Sequence, residues 1–397
     1  MSMTAPVAED LFPWNDPDFQ NDPYPWYDRA RAASPVHQTD EYTYVLTRYD
    51  DVMHYAKLPI MSIRESEKVA NPTPWSAFDN TVLSKDPPEH ASARRLFSRW
   101  FTPKLIKEWV EYTKEALDDV LAKYERGTVI DGHYDLGVIP THITMARVLD
   151  LEPGDPEPLF WALWDAMLIQ ATDPQPGTRE KSIKGLEYIF DRTANLLHEK
   201  AANPGTGLAD ELLRSHMDGK ISWREVLENV VNFYMSGAPN PAYLVGSGLE
   251  VFAKRPDVMR DFRDKPEIRE RVVNEVARMN PVELIITRFP TEDVEIRGVK
   301  IPAGSRLKFP IGAVNRDPEV FPNPGEFDYN RPIDASRNLT FGLGTHACAG
   351  QLIARAEVQH IFTVVAEQFD SVEIAAEPER VRTDRLVAFK TQPLILH

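Results

Sequence analysis

Cysteine, basic charge and long apolar runs are what this chain has least of, and each shortage excludes something. A single cysteine, Cys348, stands among 397 residues. That rules out an intramolecular disulfide and any multi-cysteine zinc or iron–sulfur site. A lone thiol is either inert packing or the centre of the chemistry. Lys and Arg total 45 against 61 Asp and Glu, a formal charge of −16, which makes nucleic acid a poor general partner. No stretch reaches the roughly 18 apolar residues that span a bilayer. The opening MSMTAPVAEDLFPWNDPDF has neither a basic leader nor an apolar run, so a cytoplasmic protein without a membrane anchor is expected. Glycine is modest at 19, whereas the 33 prolines cluster at turns such as DPYPW, DPPEH and FPNPGEF.

What is present is an ordinary globular balance of 42% hydrophobic and 27% charged residues, without internal repeats or a low-complexity linker. One domain over 1–397 is expected, with a β-rich part at about 35–60, a helical core at about 88–280, a β and loop region at about 281–347 and a last long helix at about 348–369. Residues 23–34 read as a short helix, and VHQTDEYTYVLTRYDDV carries the alternation of a hairpin. The stretch VEIRGVKIPAGSRLKF reads as strand, turn, strand around Pro302-Ala303-Gly304. The fold class is mainly α with a minor β region.

Residues 341–350 read Phe-Gly-Leu-Gly-Thr-His-Ala-Cys-Ala-Gly and lead into the amphipathic QLIARAEVQHIFTVVAEQF. This places the thiol at a helix N-terminus, where amide donors and the dipole favour an anionic sulfur. Gly342 and Gly344 allow tight turns, and Gly350 lets a flat ligand approach. A thiolate that is an iron's sole protein ligand needs such a loop, though a glycine-rich turn with an incidental thiol has the same local look.

The loop resembles the haem-binding loop of the cytochrome P450 superfamily, F-x-x-G-x-x-x-C-x-G, with Phe341, Gly344, Cys348 and Gly350 on its fixed positions. Upstream, Glu275-Val-Ala-Arg278 is locally an i,i+3 ion pair worth only a few tenths of a kcal/mol when exposed. It resembles the family's E-x-x-R, whose partner is a later Arg, here Arg331 in Phe327-Asp-Tyr-Asn-Arg331-Pro332. The resemblance covers nearly the whole chain and implies the cytochrome P450 fold, a helical bundle around haem b with small β-sheets. It assigns Cys348 to the iron and Phe341 to the haem's surroundings. Haem propionates demand cationic or donor partners. The resemblance gives that role to His90 and Arg94, to Arg288, and to His346 in the cysteine loop.

For activity the resemblance implies an O2-dependent monooxygenase fed by a separate ferredoxin and reductase, since too little chain follows Cys348 for a reductase domain. One segment departs from the family pattern. A central helix is expected over 223–254, and its midpoint reads Ser236-Gly237-Ala238-Pro239-Asn240, followed by Pro241. Pro239 stands for the usual acid and Asn240 for the usual alcohol. Gly237, Pro239 and Asn240 are therefore the candidate catalytic positions. Each interior proline removes an amide donor at a cost of about 3 kcal/mol, so a kink is expected, with freed carbonyls and the Asn240 amide facing the reaction. Chemistry with less need of a proton relay, driven by hydrogen peroxide or coupling a bound phenol or indole, is the alternative. A haem-thiolate protein that binds without turnover is a third reading.

The segments at 160–171, 282–286 and 387–389 would supply apolar walls, and Arg64 in the loop at 57–85 could meet a substrate carboxylate. Between Arg94 and Lys107 the chain reads RRLFSRWFTPKLIK, with five cations and no anion. This is either a solvated helix face or a basic patch at Arg95, Arg99 and Lys104 that steers an acidic ferredoxin.

Overall fold

A computed structural model describes residues 10–69, 78–172, 174–332 and 337–397. The N-terminal reading on residues 1–9 and part of the 57–85 loop lie outside them. The helices are α1 (Pro17–Asn21), α2 (Tyr24–Ala33), α3 (Tyr49–Tyr55), α4 (Glu89–Arg95), α5 (Pro103–Leu121), α6 (Ile139–Leu149), α7 (Pro156–Met167) and α8 (Thr178–Ala202). They continue with α9 (Leu208–Met217), α10 (Trp223–Gly237), α11 (Pro239–Lys254), α12 (Pro256–Asp264), α13 (Arg269–Met279), α14 (Ile311–Val314) and α15 (Gln351–Gln368). Among the described residues no helix is long and apolar enough to cross a membrane.

The strands are β1 (Val36–Asp40), β2 (Thr43–Leu46), β3 (Met61–Ser62), β4 (Val129–Asp131), β5 (Ile285–Pro290), β6 (Val294–Ile296), β7 (Val299–Ile301), β8 (Arg306–Pro310), β9 (Val372–Ile374), β10 (Glu379–Arg382), β11 (Val387–Thr391) and β12 (Pro393–Leu396). They form a five-stranded sheet in the order β1-β2-β8-β5-β3, a three-stranded sheet β4-β12-β9 and two hairpins, β6-β7 and β10-β11. Among the described residues only the β2–β8 pairing is parallel.

The mainly helical reading holds, and its details shift in four places. The RYDDV end of the expected hairpin belongs largely to α3, because Tyr49 and Val52 are buried on its inner face. The helical stretch at 88–280 is interrupted by β4, which joins the C-terminal strand β12. The turn of the VEIRGVKI segment lies at Arg297 and Gly298, both at positive φ, so β6 and β7 form their own hairpin. Pro302–Gly304 instead carries the chain across to β8 in the large sheet. Finally, the last helix opens at Gln351, leaving Cys348 in the loop ahead of it.

Two apolar cores hold the helices. One is built by α5 to α10, and the other by α11, α12, α13 and α15 with β9 and β12. In the second, α11 and α15 approach so closely that a Cβ on Gly248 would lie 1.9 Å from Phe362 Cζ. Helix α10 starts from a capping box in which Ser222 and Glu225 satisfy each other's amides. It ends at Gly237, and Pro239 opens α11 as a first-turn residue, where its missing amide costs nothing. The expected kink is a one-residue interruption at Ala238, which keeps helical dihedrals and whose carbonyl accepts Thr141 Oγ1 at 2.7 Å.

Candidate active site

The cysteine loop is shaped by two glycines at φ 69°, Gly342 and Gly344, a backbone region that other residues enter at a cost. Cys348 N–H donates to Phe341 O at 2.8 Å, closing the loop on itself. The amides of Gly350 and Gln351 donate to the sulfur, and the Arg94 and Arg355 guanidiniums lie near it. Cys348 is exposed to the space beside the loop, and the surrounding protein still desolvates the sulfur enough to push the thiol pKa up. Through these donors the loop lowers the cost of charge on sulfur, and a bound cation would lower it further. Arg355 also lies 4.6 Å over the Phe341 ring and donates to Asn274 Oδ1 at 2.9 Å, which fixes the ring in place.

Beside this loop the fold gathers His90 and Arg94 from α4, Arg288 from β5 and His346. The rings of His90 and His346 lie 4.2 Å apart between centroids. Arg94 Nη2 donates to Ala347 O at 3.1 Å, and Arg288, only 6% exposed, donates to Thr287 O at 2.8 Å. Burial, reinforced by the neighbouring His90, Arg288 and Arg94, pushes His346 down to about 4. Asp86 is the one carboxylate felt by the cluster, and it already accepts from Ser62 Oγ at 2.5 Å and Ile63 N at 3.1 Å. The Nε2 atoms of His90 and His346 are buried without a partner among the described residues. A crowd of donors this short of negative charge fits a ligand that brings carboxylates of its own. The donor set therefore suits haem, with its single thiolate and two propionates. Among the described residues no cluster of His, Cys, Asp or Glu offers another metal site.

Behind the loop, Arg278 clasps Glu275 through two bonds of 2.8 and 2.7 Å, and Arg331 Nε reaches the same carboxylate at 3.1 Å. Other guanidinium hydrogens of both arginines go to the carbonyls of Asn315, Pro322, Asn323, Pro324 and Glu326. The E-x-x-R segment and Arg331 thus form one buried, densely bonded lock.

Across the fold, Phe160, Trp164, Met167, Pro239, Asn240, Tyr243, Val282, Leu386, Val387 and Ala388 line an apolar slot. Helix α7, the α10–α11 break and the start of β11 meet there, as the three apolar segments imply. Two details differ. Phe389 lies behind the wall, its ring 5.4 Å from that of Tyr243 and tilted by 34°, and Leu386 takes the lining position. Gly237 does not line the slot, because a Cβ on it would meet Met145 Cε at 2.1 Å, so its smallness serves the packing of α10 on α6. Sequence reasoning also passed over Ser236, which stands one helical turn before Asn240. It is the one exposed residue between Glu225 and Ala253. Scanning for Asp, Glu or Thr missed it; scanning for any hydroxyl would have found it.

On the remaining expectations, Arg64 is 57% exposed along its side chain, donates to Ser84 O and has Asp86 at 4.0 Å. Arg95, Arg99 and Lys104 are exposed together, but Arg99 is held by Glu211, which also accepts from Trp100 Nε1.

Comparison with known proteins agrees with this layout. Vitamin D(3) 25-hydroxylase of Pseudonocardia autotrophica is 29% identical over 90% of this chain and 88% of its own length. Nocardicin C N-oxygenase of Nocardia uniformis subsp. tsuyamanensis is 27% identical over 93% and 94%. Among solved structures, P450BioI in complex with an acyl carrier protein superposes with a TM-score of 0.87 at 21% identity, covering 96% of this chain and all of the other; at that identity the likeness speaks to the fold. The model of the family described as Cytochrome P450 matches residues 166–396, more than half of the chain. The chain therefore belongs to the cytochrome P450 family and is a monooxygenase-type oxidoreductase.

Proposed function

We propose that this protein oxygenates a small organic substrate at a haem b whose iron has Cys348 as its sole protein ligand. The gathering of His90, Arg94, Arg288 and His346 beside the cysteine loop carries this reading, because it is a built demand for two carboxylates. Haem bound there supplies the activation of dioxygen. Phe341 packs beside it, and the four donors hold its propionates. The chain's own work is to grip the substrate at the slot, which at about 20 Å³ must widen to admit it, to exclude water and to present polar groups at the α10–α11 break. The aromatic walls Phe160, Trp164 and Tyr243 favour a bulky apolar or aromatic substrate. Asn240 both donates and accepts but cannot ionise, so it positions a water or a substrate group and passes no proton of its own. The Ser236 hydroxyl, one turn away, complements it. Electrons come from a separate ferredoxin, steered by the exposed cations Arg95, Arg99 and Lys104.

The test is the carbon monoxide difference spectrum of the reduced protein. A thiolate-type band that disappears in Cys348→Ala is expected, and its absence from the wild type overturns the reading. Turnover with NADPH, ferredoxin and reductase should fall when Arg95 and Lys104 are replaced by Glu, and more steeply at low salt. The missing acid–alcohol pair at Pro239 and Asn240 favours one second reading, peroxide-driven oxidation or coupling. Product formed with hydrogen peroxide and not with the ferredoxin chain would select it.

A further inference from the structure

A surface groove of about 550 Å³ adjoins the slot. It is lined by Pro17, Gln20 and Asn21 of the N-terminal segment, by Trp164 and Leu168, and by the 377–382 stretch with Arg380 and Arg382. Trp164 lines both spaces. The two spaces share that wall, and the groove is the outer of the two.

The charges in the groove are unevenly compensated. Arg380 is answered by Glu250 and rests 4.6 Å over Phe389. Arg382 has no ion pair among the described residues. Its Nη1 donates to the carbonyls of Gln20 and Asn21, and its Nε is buried without a partner. The charged and titratable groups that act on it include Tyr243, Arg380, Asp22 and Tyr27, Asp22 being the carboxylate among these four, and burial pushes the guanidinium's pKa down. Glu377 lies on the exposed rim. A half-buried guanidinium that neutral carbonyls hold through one nitrogen, with no carboxylate paired to it, is a seat for an anion.

We propose that this groove is the recognition site for a substrate carboxylate, with Arg382 as its anchor and the apolar body of the molecule passing Trp164 into the slot. The substrate class is then an amphiphilic organic acid. The inference rests on the oxygenation reading only in taking the slot as the place of reaction.

A homologous series of ω-phenylalkanoates and the alcohols of the same lengths are titrated into the haem-loaded protein by calorimetry and by the absorption shift of the haem. At the chain length that spans both spaces the acid should bind about tenfold tighter than the alcohol or more, as a charge-assisted hydrogen bond provides. Arg382→Gln should abolish that preference while leaving alcohol affinity within about twofold, and Arg382→Lys should keep part of it. An acid no tighter than its alcohol at every length overturns the proposal, as does a preference that survives in Arg382→Gln. Should Arg382→Gln lose its fold, salt decides: acid affinity that falls with ionic strength while alcohol affinity does not supports the anchor, and equal responses overturn it. The carbon monoxide band is read on the same samples. A normal band without acid preference sinks this inference alone, and a missing band sinks the haem reading.

Discussion

His90 on α4 and His346 in the cysteine loop bring their rings to 4.2 Å, tilted by 55°, and neither Nε2 has a partner among the described residues. Two imidazoles and two guanidiniums are here packed against one another with no carboxylate of the chain free to answer them. The arrangement makes sense when the answering charge arrives with a ligand.

The first prediction follows from that imbalance. Replacing Arg288 with Leu removes a buried cation that hydrogen-bonds its neighbour's carbonyl and no carboxylate among the described residues. The haem-loaded protein should then lose haem to excess apomyoglobin about tenfold faster, since a hydrogen bond to a charged group is gone. The haem-free protein should melt no lower than wild type, because an uncompensated buried charge has gone with it. Unchanged haem loss would count against a propionate role for Arg288.

The Glu275 lock behaves in the opposite way. Glu275→Gln keeps the shape and removes the charge that Arg278 and Arg331 share, leaving two buried guanidiniums without a counter-ion. Breaking a buried pair from one side costs about 3–5 kcal/mol. The urea midpoint should fall accordingly, with or without haem.

Gly248 and Gly325 make a matched pair. Gly248→Ala sets a methyl against the ring of Phe362, which is fully buried and has nowhere to move. A loss of about 1–3 kcal/mol is expected from overpacking. Around Gly325 a Cβ meets nothing within 4 Å, so Gly325→Ala should be neutral or slightly stabilising through the unfolded chain. Comparable melting shifts in the two variants would refute the packing argument.

Stability should fall on both sides of a middle pH range. Burial against the Thr113 hydroxyl pushes Glu357 from 4.5 up to about 8, so the fold holds its proton long after the unfolded chain has lost it. Its contribution is complete below 4.5 and drains away as pH rises towards 8. His133 and His142, which burial pushes from 6.5 down to about 4, act in the other direction. Their contribution is complete above 6.5 and drains away as pH falls towards 4. Glu357→Gln should flatten the alkaline fall and leave the acid fall alone; denaturant midpoints measured across pH ~4 to ~9 would show either result.

How much of this was legible beforehand depended on whether a feature is local. The cysteine loop, the E-x-x-R pair with Arg331 and the four donors around His346 are short patterns, and the fold brings each group together as the patterns imply. The turn in VEIRGVKIPAGS could not be placed in the same way. Gly298 and Gly304 both sit at positive φ, so the two signals were equal until β8 joined β2 and β5 and pulled Pro302–Gly304 out of the hairpin. Likewise two prolines announced a disturbance near Asn240, but not that α10 would end and a new helix begin at Pro239, which turns a strained position into an ordinary first turn.

The sequence by itself determined the scarce resources: one thiol, no acid or threonine at the helix break, and a negative overall charge. Only the tertiary structure decided what those resources are worth. The thiol's acidity, the partnerless histidines, the packing role of Gly237 and the half-answered charge of Arg382 all depend on which distant groups crowd around them, because burial and Coulomb interactions act through space and not along the chain.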